Sequence, residues 1–298
     1  MKMMKNMKNV IVVFPLFLLA CKSDQEIQAL RWDELALVSG DFDNIAEPLV
    51  RLGVGYTEYE GFISQAVYNP EINPDNFQLT VEGLLQGVDD SGSPNMNQYD
   101  ALFISSGTRG LGEYQYNGVE EDNFLVNDPA VIENLYSFTS KGKSLVVSDW
   151  AGDLIEAAWP EQIQFVNEDI CSEETCWDVG QMGTSEKVIA NVIEPELQSK
   201  LGADSVSLNF DFSYWSVIQS VGEDVTVHLS GDVEYRISSS EGYGMLENVP
   251  LLVSFRAGGG QVIFSSFHWS SQNSTVADII MLHVAEGLSP KISVSEEE

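Results

Sequence analysis

The sequence has few basic residues, few cysteines and histidines, and no long apolar run after its first twenty residues. Its 14 lysines and arginines stand against 46 acidic residues, which gives a formal net charge of −32 at pH 7. A field of this sign repels phosphate groups, so we expect no nucleic-acid partner. The three cysteines and three histidines show no metal-ligand spacing between them. We therefore predict no metal site and no cofactor.

The first twenty residues have the architecture of a cleaved secretory signal. Three lysines within the first eight positions give a positive start, and the apolar run over 10–19 is too short to span a bilayer. The small residue Ala20 then precedes Cys21. This pattern predicts a signal peptide over residues 1–20.

The four residues that end at Cys21, Leu-Leu-Ala-Cys, resemble the lipobox of bacterial lipoproteins. The resemblance implies that Cys21 carries a diacylglycerol, so that residues 21–32 form a tether whose partner is the lipid bilayer. Lys22 in place of an aspartate fits retention in the outer membrane, which predicts a lipid-anchored protein of the bacterial cell envelope. An ordinary signal peptide that happens to contain a cysteine is the alternative.

The two other cysteines, Cys171 and Cys176, lie close together in a polar segment. Disulfides form in the oxidising compartments outside the inner membrane, and a small Cys171–Cys176 disulfide is one prediction. Two free thiols are the alternative.

Residues 33–288 alternate buried strands with helices, as in a parallel α/β sheet. The apolar runs over 100–104 and 144–148 are typical of strands that are covered on both faces. Between them, Asp128 and Pro129 predict the start of a helix, and Gly142 lies just past its end.

The remaining segments are predicted from their patterns of apolar residues. Residues 160–250 predict an inserted, β-rich elaboration with antiparallel strands and one helix over 194–201. Residues 77–81 alternate like an edge strand or hairpin. Strands over 251–255 and 262–267 and a closing helix over 274–285 complete the domain. Residues 289–298 form an acidic tail.

Three segments resemble the class I glutamine amidotransferase-like superfamily, which has a flavodoxin-like α/β fold. They cover residues 99–107, 142–152 and 260–268. The resemblance implies a mostly parallel sheet with helices on both faces. It also implies that the first segment supplies an oxyanion loop, the second a nucleophile elbow and the third a catalytic histidine, His268.

The sequence departs from the pattern of active family members at two positions. In that alignment Trp150 occupies the position of the nucleophilic cysteine, and Ser270 occupies the position of the acid that follows the histidine. An indole cannot attack a carbonyl group, so the alignment excludes covalent acyl transfer at Trp150.

The strand ends define a candidate pocket, because open α/β sheets bind ligands at the carboxyl ends of their strands. We expect it to contain Ser105, Gly107, Asp149, Trp150 and His268. His268 is interpreted either as a framework residue, hydrogen-bonded to a neighbour, or as a polar group of a surviving ligand site.

The leading functional hypothesis is a membrane-anchored envelope lipoprotein with a non-catalytic, amidotransferase-like scaffold or binding domain. Its partner would be an envelope protein, a peptide or a glycan. The alternatives are a hydrolase whose active site has moved to the surroundings of His268, and a carbohydrate- or peptide-binding module built on residues 160–250.

Overall fold

The computed structural model describes residues 34–62, 79–112, 114–116, 119–121, 124–166, 182–238 and 242–288. The predictions for the signal peptide, for Cys21 and its tether, for Cys171 and Cys176, and for the acidic tail lie outside these residues. Within the described ranges, no helix is both long enough and apolar enough to cross a membrane.

Thirteen strands are present in the described part of the chain. Their bounds are β1 Leu35–Val38, β2 Thr57–Tyr59, β3 Ala101–Ile104, β4 Tyr114–Tyr116, β5 Val119–Glu121, β6 Ser144–Ser148, β7 Ile163–Phe165, β8 Glu186–Val192, β9 Ser205–Phe210, β10 Ile218–Val221, β11 Thr226–Ser238, β12 Gly242–Ala257 and β13 Gly260–Ser265.

Six α-helices accompany these strands in the same ranges. They are α1 Ala46–Arg51, α2 Val81–Leu85, α3 Pro129–Ser140, α4 Asp153–Ala158, α5 Pro195–Leu201 and α6 Ser274–Leu288, with 3₁₀ turns over Asn95–Gln98 and Asp149–Gly152.

Nine of the strands form one mixed sheet in the order β2-β1-β3-β6-β13-β12-β11-β8-β9. The first five of these strands run parallel to one another. Every residue of β1, β3 and β6 is buried, which explains their continuous apolar sequences. The predicted α/β, flavodoxin-like fold is confirmed.

The other four strands of the sheet are antiparallel, beginning where β12 pairs with β13. Burial alternates along β8, as it does in a sheet that packs on one face and meets solvent on the other. The β-rich elaboration therefore extends the central sheet, and its predicted helix is present as α5.

The helices lie in two layers. α1 and α5 both pack against α6, whereas α3 packs against both α2 and α4. The chain moves from β1 to β2 in one direction along the sheet and from β3 to β6 in the other. Because crossovers between parallel strands are right-handed, we infer that the two groups lie on opposite faces. The start of α3 is as predicted, because Asp128 accepts a hydrogen bond from the Ala130 N–H (2.9 Å) and Pro129 is its first residue.

Two segments differ from their predicted bounds. Residues 77 and 78 of the predicted edge strand or hairpin lie outside the described residues, Thr80 forms an isolated bridge with Glu60, and α2 begins at Val81. The Thr80 hydroxyl caps this helix by accepting a hydrogen bond from the Gly83 N–H (3.2 Å). Val81, Leu84 and Leu85 are buried, at a spacing that fits one helical face. The closing helix also runs on to Leu288, since Gly287 keeps a helical backbone and no left-handed cap.

An ion-pair cluster around Arg109 holds the first part of the domain together. Its guanidinium donates to both oxygens of Glu60 (2.8 and 2.7 Å) and both oxygens of Glu82 (2.6 and 2.8 Å). Burial raises the pKa of Glu82, but Arg109 outweighs this effect and lowers it. The cluster joins the end of β2, helix α2 and the loop after β3.

We expect Arg109→Ala to lower the free energy of unfolding by about 2 kcal/mol, because it leaves two largely buried carboxylates without their partner. Urea denaturation measures this change. Arg256→Ala is the matched control, since Arg256 is exposed on β12, and it should cost less than about 0.5 kcal/mol. Equal effects of the two variants would contradict the structural role of the cluster.

Candidate functional site

The candidate site lies where four strands of the parallel half end. The loop after β1 binds the loop after β3, since the backbone N–H groups of Phe42 and Asp43 both donate to the Ser106 carbonyl (3.2 and 3.3 Å). The Asp41 N–H donates to the Gly107 carbonyl (3.1 Å). These loops are thereby fixed beside the turns that follow β6 and β13.

Gly107 is required by this arrangement. Its φ is +78°, and a Cβ at this position would lie 2.5 Å from Cδ2 of Phe42. The neighbouring predicted residue, Ser105, is buried, and its N–H donates to the Val38 carbonyl (3.1 Å). Both residues therefore belong to the framework that supports the site.

Asp149 is the elbow residue of the turn after β6. It follows the strand directly and has a φ of +47°, a strained value for a residue with a side chain. Its Oδ1 accepts from the Ser216 N–H (2.6 Å), and its Oδ2 accepts from the Ser106 hydroxyl (3.2 Å). Asp149, one residue before Trp150, therefore faces His268, and the alignment of Trp150 with the nucleophile position stays a prediction.

Trp150 lies beside the elbow. Its indole N–H donates to the Tyr214 carbonyl (2.7 Å), and its ring packs edge-on against Phe42 with 4.9 Å between the centroids. The side chain therefore ties the turn to the antiparallel half of the molecule.

His268 forms the centre of the site and contacts two carboxylates. Its Nε2 lies 3.0 Å from Oδ2 of Asp149, and its Nδ1 lies 3.1 Å from Oδ1 of Asp211. Asp211 directly follows β9, so the inserted elaboration supplies this partner. The side chain of His268 is only 4% exposed. Both ring nitrogens are thus occupied within the protein.

These contacts make His268 an imidazolium at neutral pH. Burial lowers the pKa of His268, but the hydrogen bonds to Asp149 and Asp211 outweigh burial and raise it to about 10. Burial raises the pKa of Asp211, and the hydrogen bond to His268 outweighs that effect and lowers it. The charged histidine donates both N–H groups, so it cannot accept a proton as a general base.

A third carboxylate, Asp43, is buried next to the cluster. Its Oδ1 accepts from the backbone N–H and from the hydroxyl of Ser270 (3.1 Å each). Ser270, the residue at the predicted acid position, therefore binds Asp43 and not His268. The acid that pairs with Nδ1 of His268 is Asp211, which the sequence analysis missed.

Aromatic side chains cover the ion cluster. The Phe212 ring lies 5.7 Å from the His268 ring and 6.2 Å from the Phe42 ring, measured between centroids. Phe212 is 52% exposed and Tyr214 is 46% exposed, whereas Trp215 is buried in the core. The cover is therefore apolar towards the cluster and open to solvent on its outer side.

The site resembles a catalytic triad in layout and differs from one in charge state. An aspartate on a strained elbow faces a histidine whose other nitrogen binds a second aspartate. The elbow carboxylate accepts three hydrogen bonds, and the histidine is protonated. The arrangement is an internally paired ion cluster.

Comparisons with known proteins find a shared fold and no relative in sequence. No known protein family matches the chain, and no curated protein matches its sequence. Among solved structures, a glutamine amidotransferase from Thermotoga maritima is similar, with 8% identity and a TM-score of 0.38. The match covers 84% of this chain and 82% of the amidotransferase chain.

Two further structures extend the comparison. A protein described as ThuA-like, from Parabacteroides merdae, has 9% identity and a TM-score of 0.44, covering 87% of this chain and 92% of its own. A cytoplasmic protein of Salmonella typhimurium has 13% identity and a TM-score of 0.47, and the match covers 86% of this chain and 99% of the Salmonella chain. The fold resembles glutamine amidotransferase-like domains, and at these identities the likeness concerns the fold alone.

Proposed function

We propose that the protein is a membrane-anchored lipoprotein of the bacterial cell envelope whose α/β domain is a non-catalytic scaffold or binding module. The lipobox-like residues that end at Cys21 support the anchor. The exposed rings of Phe212 and Tyr214 supply a contact surface for an envelope protein, a peptide or a glycan. The bilayer is the partner of the acylated Cys21.

The observation that carries the non-catalytic role is the pairing of His268 with two carboxylates. A nucleophile is activated by an unprotonated base within hydrogen-bond reach. Here the imidazole is protonated and buried, and both oxygens of Asp149 already accept hydrogen bonds. The cluster therefore stabilises the fold and contains no unprotonated base that could activate a nucleophile.

The second candidate function is a hydrolase with its active site around His268. The strained backbone of Asp149 favours it, because strain of this kind concentrates at functional sites. In such an enzyme the Asp149 carboxylate would attack the carbonyl carbon of an ester or amide and expel the alcohol or amine, which takes up a proton. Water would then hydrolyse the resulting mixed anhydride to the substrate acid and free Asp149. The step with water needs a neutral His268 and hence a large fall in its pKa.

Turnover assays on the purified mature chain in detergent separate the two candidates. Glutamine and activated esters such as p-nitrophenyl acetate serve as substrates, and Asp149→Asn is the matched variant. We expect no turnover above buffer for either protein. Turnover by the wild type that disappears in Asp149→Asn would establish the hydrolase.

The anchor is tested in cells by labelling with a radioactive fatty acid. We expect the label on the wild-type chain and its loss in Cys21→Ser. A wild-type chain without label would contradict the lipoprotein assignment.

A further inference from the structure

A second polar cluster lies in the antiparallel half, away from the strand-end site. It contains His228 on β11, His283 on α6 and Glu194, the residue that precedes α5. One ligand atom from each residue lies within 4.8 Å of the other two. We propose that these three residues form a binding site for a zinc ion.

The distances between the ligand atoms fit zinc. Nδ1 of His228 lies 3.2 Å from Nε2 of His283, and that Nε2 lies 3.5 Å from Oε2 of Glu194. A tetrahedral zinc ion with bonds of 2.0–2.1 Å separates its ligand atoms by about 3.3 Å. Two of the three distances between ligand atoms therefore already have the required length, and the third, between His228 and Glu194, is at most 4.8 Å.

The surroundings orient the ligands. Nε2 of His228 lies 2.8 Å from the Ser254 hydroxyl, so an N–H at Nε2 donates to that hydroxyl and leaves Nδ1 free to bind a metal. Glu194 caps α5 by accepting from the Leu197 N–H (2.5 Å).

Lys200 competes with the metal. Its ammonium lies 3.4 Å from Nδ1 of His283 and pairs with Glu196 (2.9 Å) and Glu286. With this donor on Nδ1, the proton of His283 sits on Nε2 and points to His228. Zinc at Nε2 requires that proton to move to Nδ1, so Lys200 must withdraw toward its two glutamates.

The bound ion would connect three segments that are distant in sequence. It would fasten the closing helix α6 to β11 and to the start of α5, with the fourth coordination position left for water. The chemistry of two imidazoles and one carboxylate selects zinc over Mg²⁺, which prefers oxygen ligands.

Isothermal titration calorimetry with zinc tests the proposal. The mature chain carries Cys171→Ser and Cys176→Ser, so that thiols do not bind the metal. We expect one zinc per chain, no binding of Mg²⁺, and a rise in Tm of about 5–10 °C when free zinc is 100 times the measured Kd. Absence of a saturable one-to-one site would overturn the proposal.

Variants locate the site. His283→Gln and His228→Gln should each abolish binding, with retention of the far-ultraviolet circular dichroism spectrum as the check on folding. Glu194→Gln keeps an oxygen for the helix cap and should weaken binding by at least tenfold.

Two further variants test the competition by Lys200. Lys200→Met should tighten binding by about tenfold. Lys187→Met removes the charge of an exposed lysine on β8 and is the matched control, with a change below threefold. Zinc binding that survives both histidine substitutions would place the ion elsewhere and contradict the assignment.

Discussion

Asp149→Ala is expected to lower the free energy of unfolding by about 4 kcal/mol, more than any other substitution in the site. The change leaves the buried imidazolium of His268 with Asp211 alone, and it removes the acceptor for the Ser216 N–H and the Ser106 hydroxyl. Removing one member of a buried ion pair costs about 3–5 kcal/mol. Urea denaturation followed by circular dichroism measures the change.

Two variants at the same position separate charge from backbone strain. Asp149→Asn keeps the size, an acceptor oxygen and tolerance of positive φ, so it should lose only about half as much stability as Asp149→Ala. Asp149→Gly accepts a φ of +47° without strain and should be about 1 kcal/mol more stable than Asp149→Ala. A stabilising effect of Asp149→Ala would instead indicate an active site, since such sites trade stability for activity.

The second large effect is a loss of stability between pH 6.5 and pH 10. The folded-state pKa of His268 is raised to about 10 from its usual 6.5, so the folded state binds a proton that the unfolded state has released. Its contribution is complete below pH 6.5, declines as the pH rises and is lost above pH 10. At 1.36 kcal/mol per pKa unit, the total is about 4–5 kcal/mol.

Asp211→Asn is the control for this pH dependence. It keeps the histidine and removes one of its two carboxylates, so the pKa of His268 in the folded state falls. The decline in stability still begins near pH 6.5, but it ends at a lower pH and its total is smaller. Denaturation midpoints at several pH values give the two curves. Identical curves for wild type and Asp211→Asn would contradict the role of this pair.

Much of the fold is predictable because its local signals agree with the tertiary structure. The strands over 100–104 and 144–148 are apolar throughout, since both faces of the parallel sheet are covered. Asp128 and Pro129 mark the start of α3, because the Asp128 carboxylate caps the helix and proline fits its first position. The start of α2 at Val81 was not predicted, because alternation over so few residues fits the residues before a helix equally well.

The site was harder to predict, because backbone conformation and long-range pairing decide it. The positive φ of Asp149, whose carboxylate contacts His268, has no signature in the residues around Trp150. His268 and its partner Asp211 are 57 positions apart, and His228 and His283 are 55 apart. Spacing in the sequence carries no signal for such pairs.

The pKa of His268 decides whether the site is closed, because the non-catalytic role requires an imidazolium held between two carboxylates. A nuclear magnetic resonance titration of the protein with isotope-labelled histidine gives this value, with His268→Gln for assignment of the signal. We expect His268 to stay protonated through neutral pH and to titrate near 10. A pKa at or below 7 would reveal a free base next to Asp149 and contradict the closed, non-catalytic site.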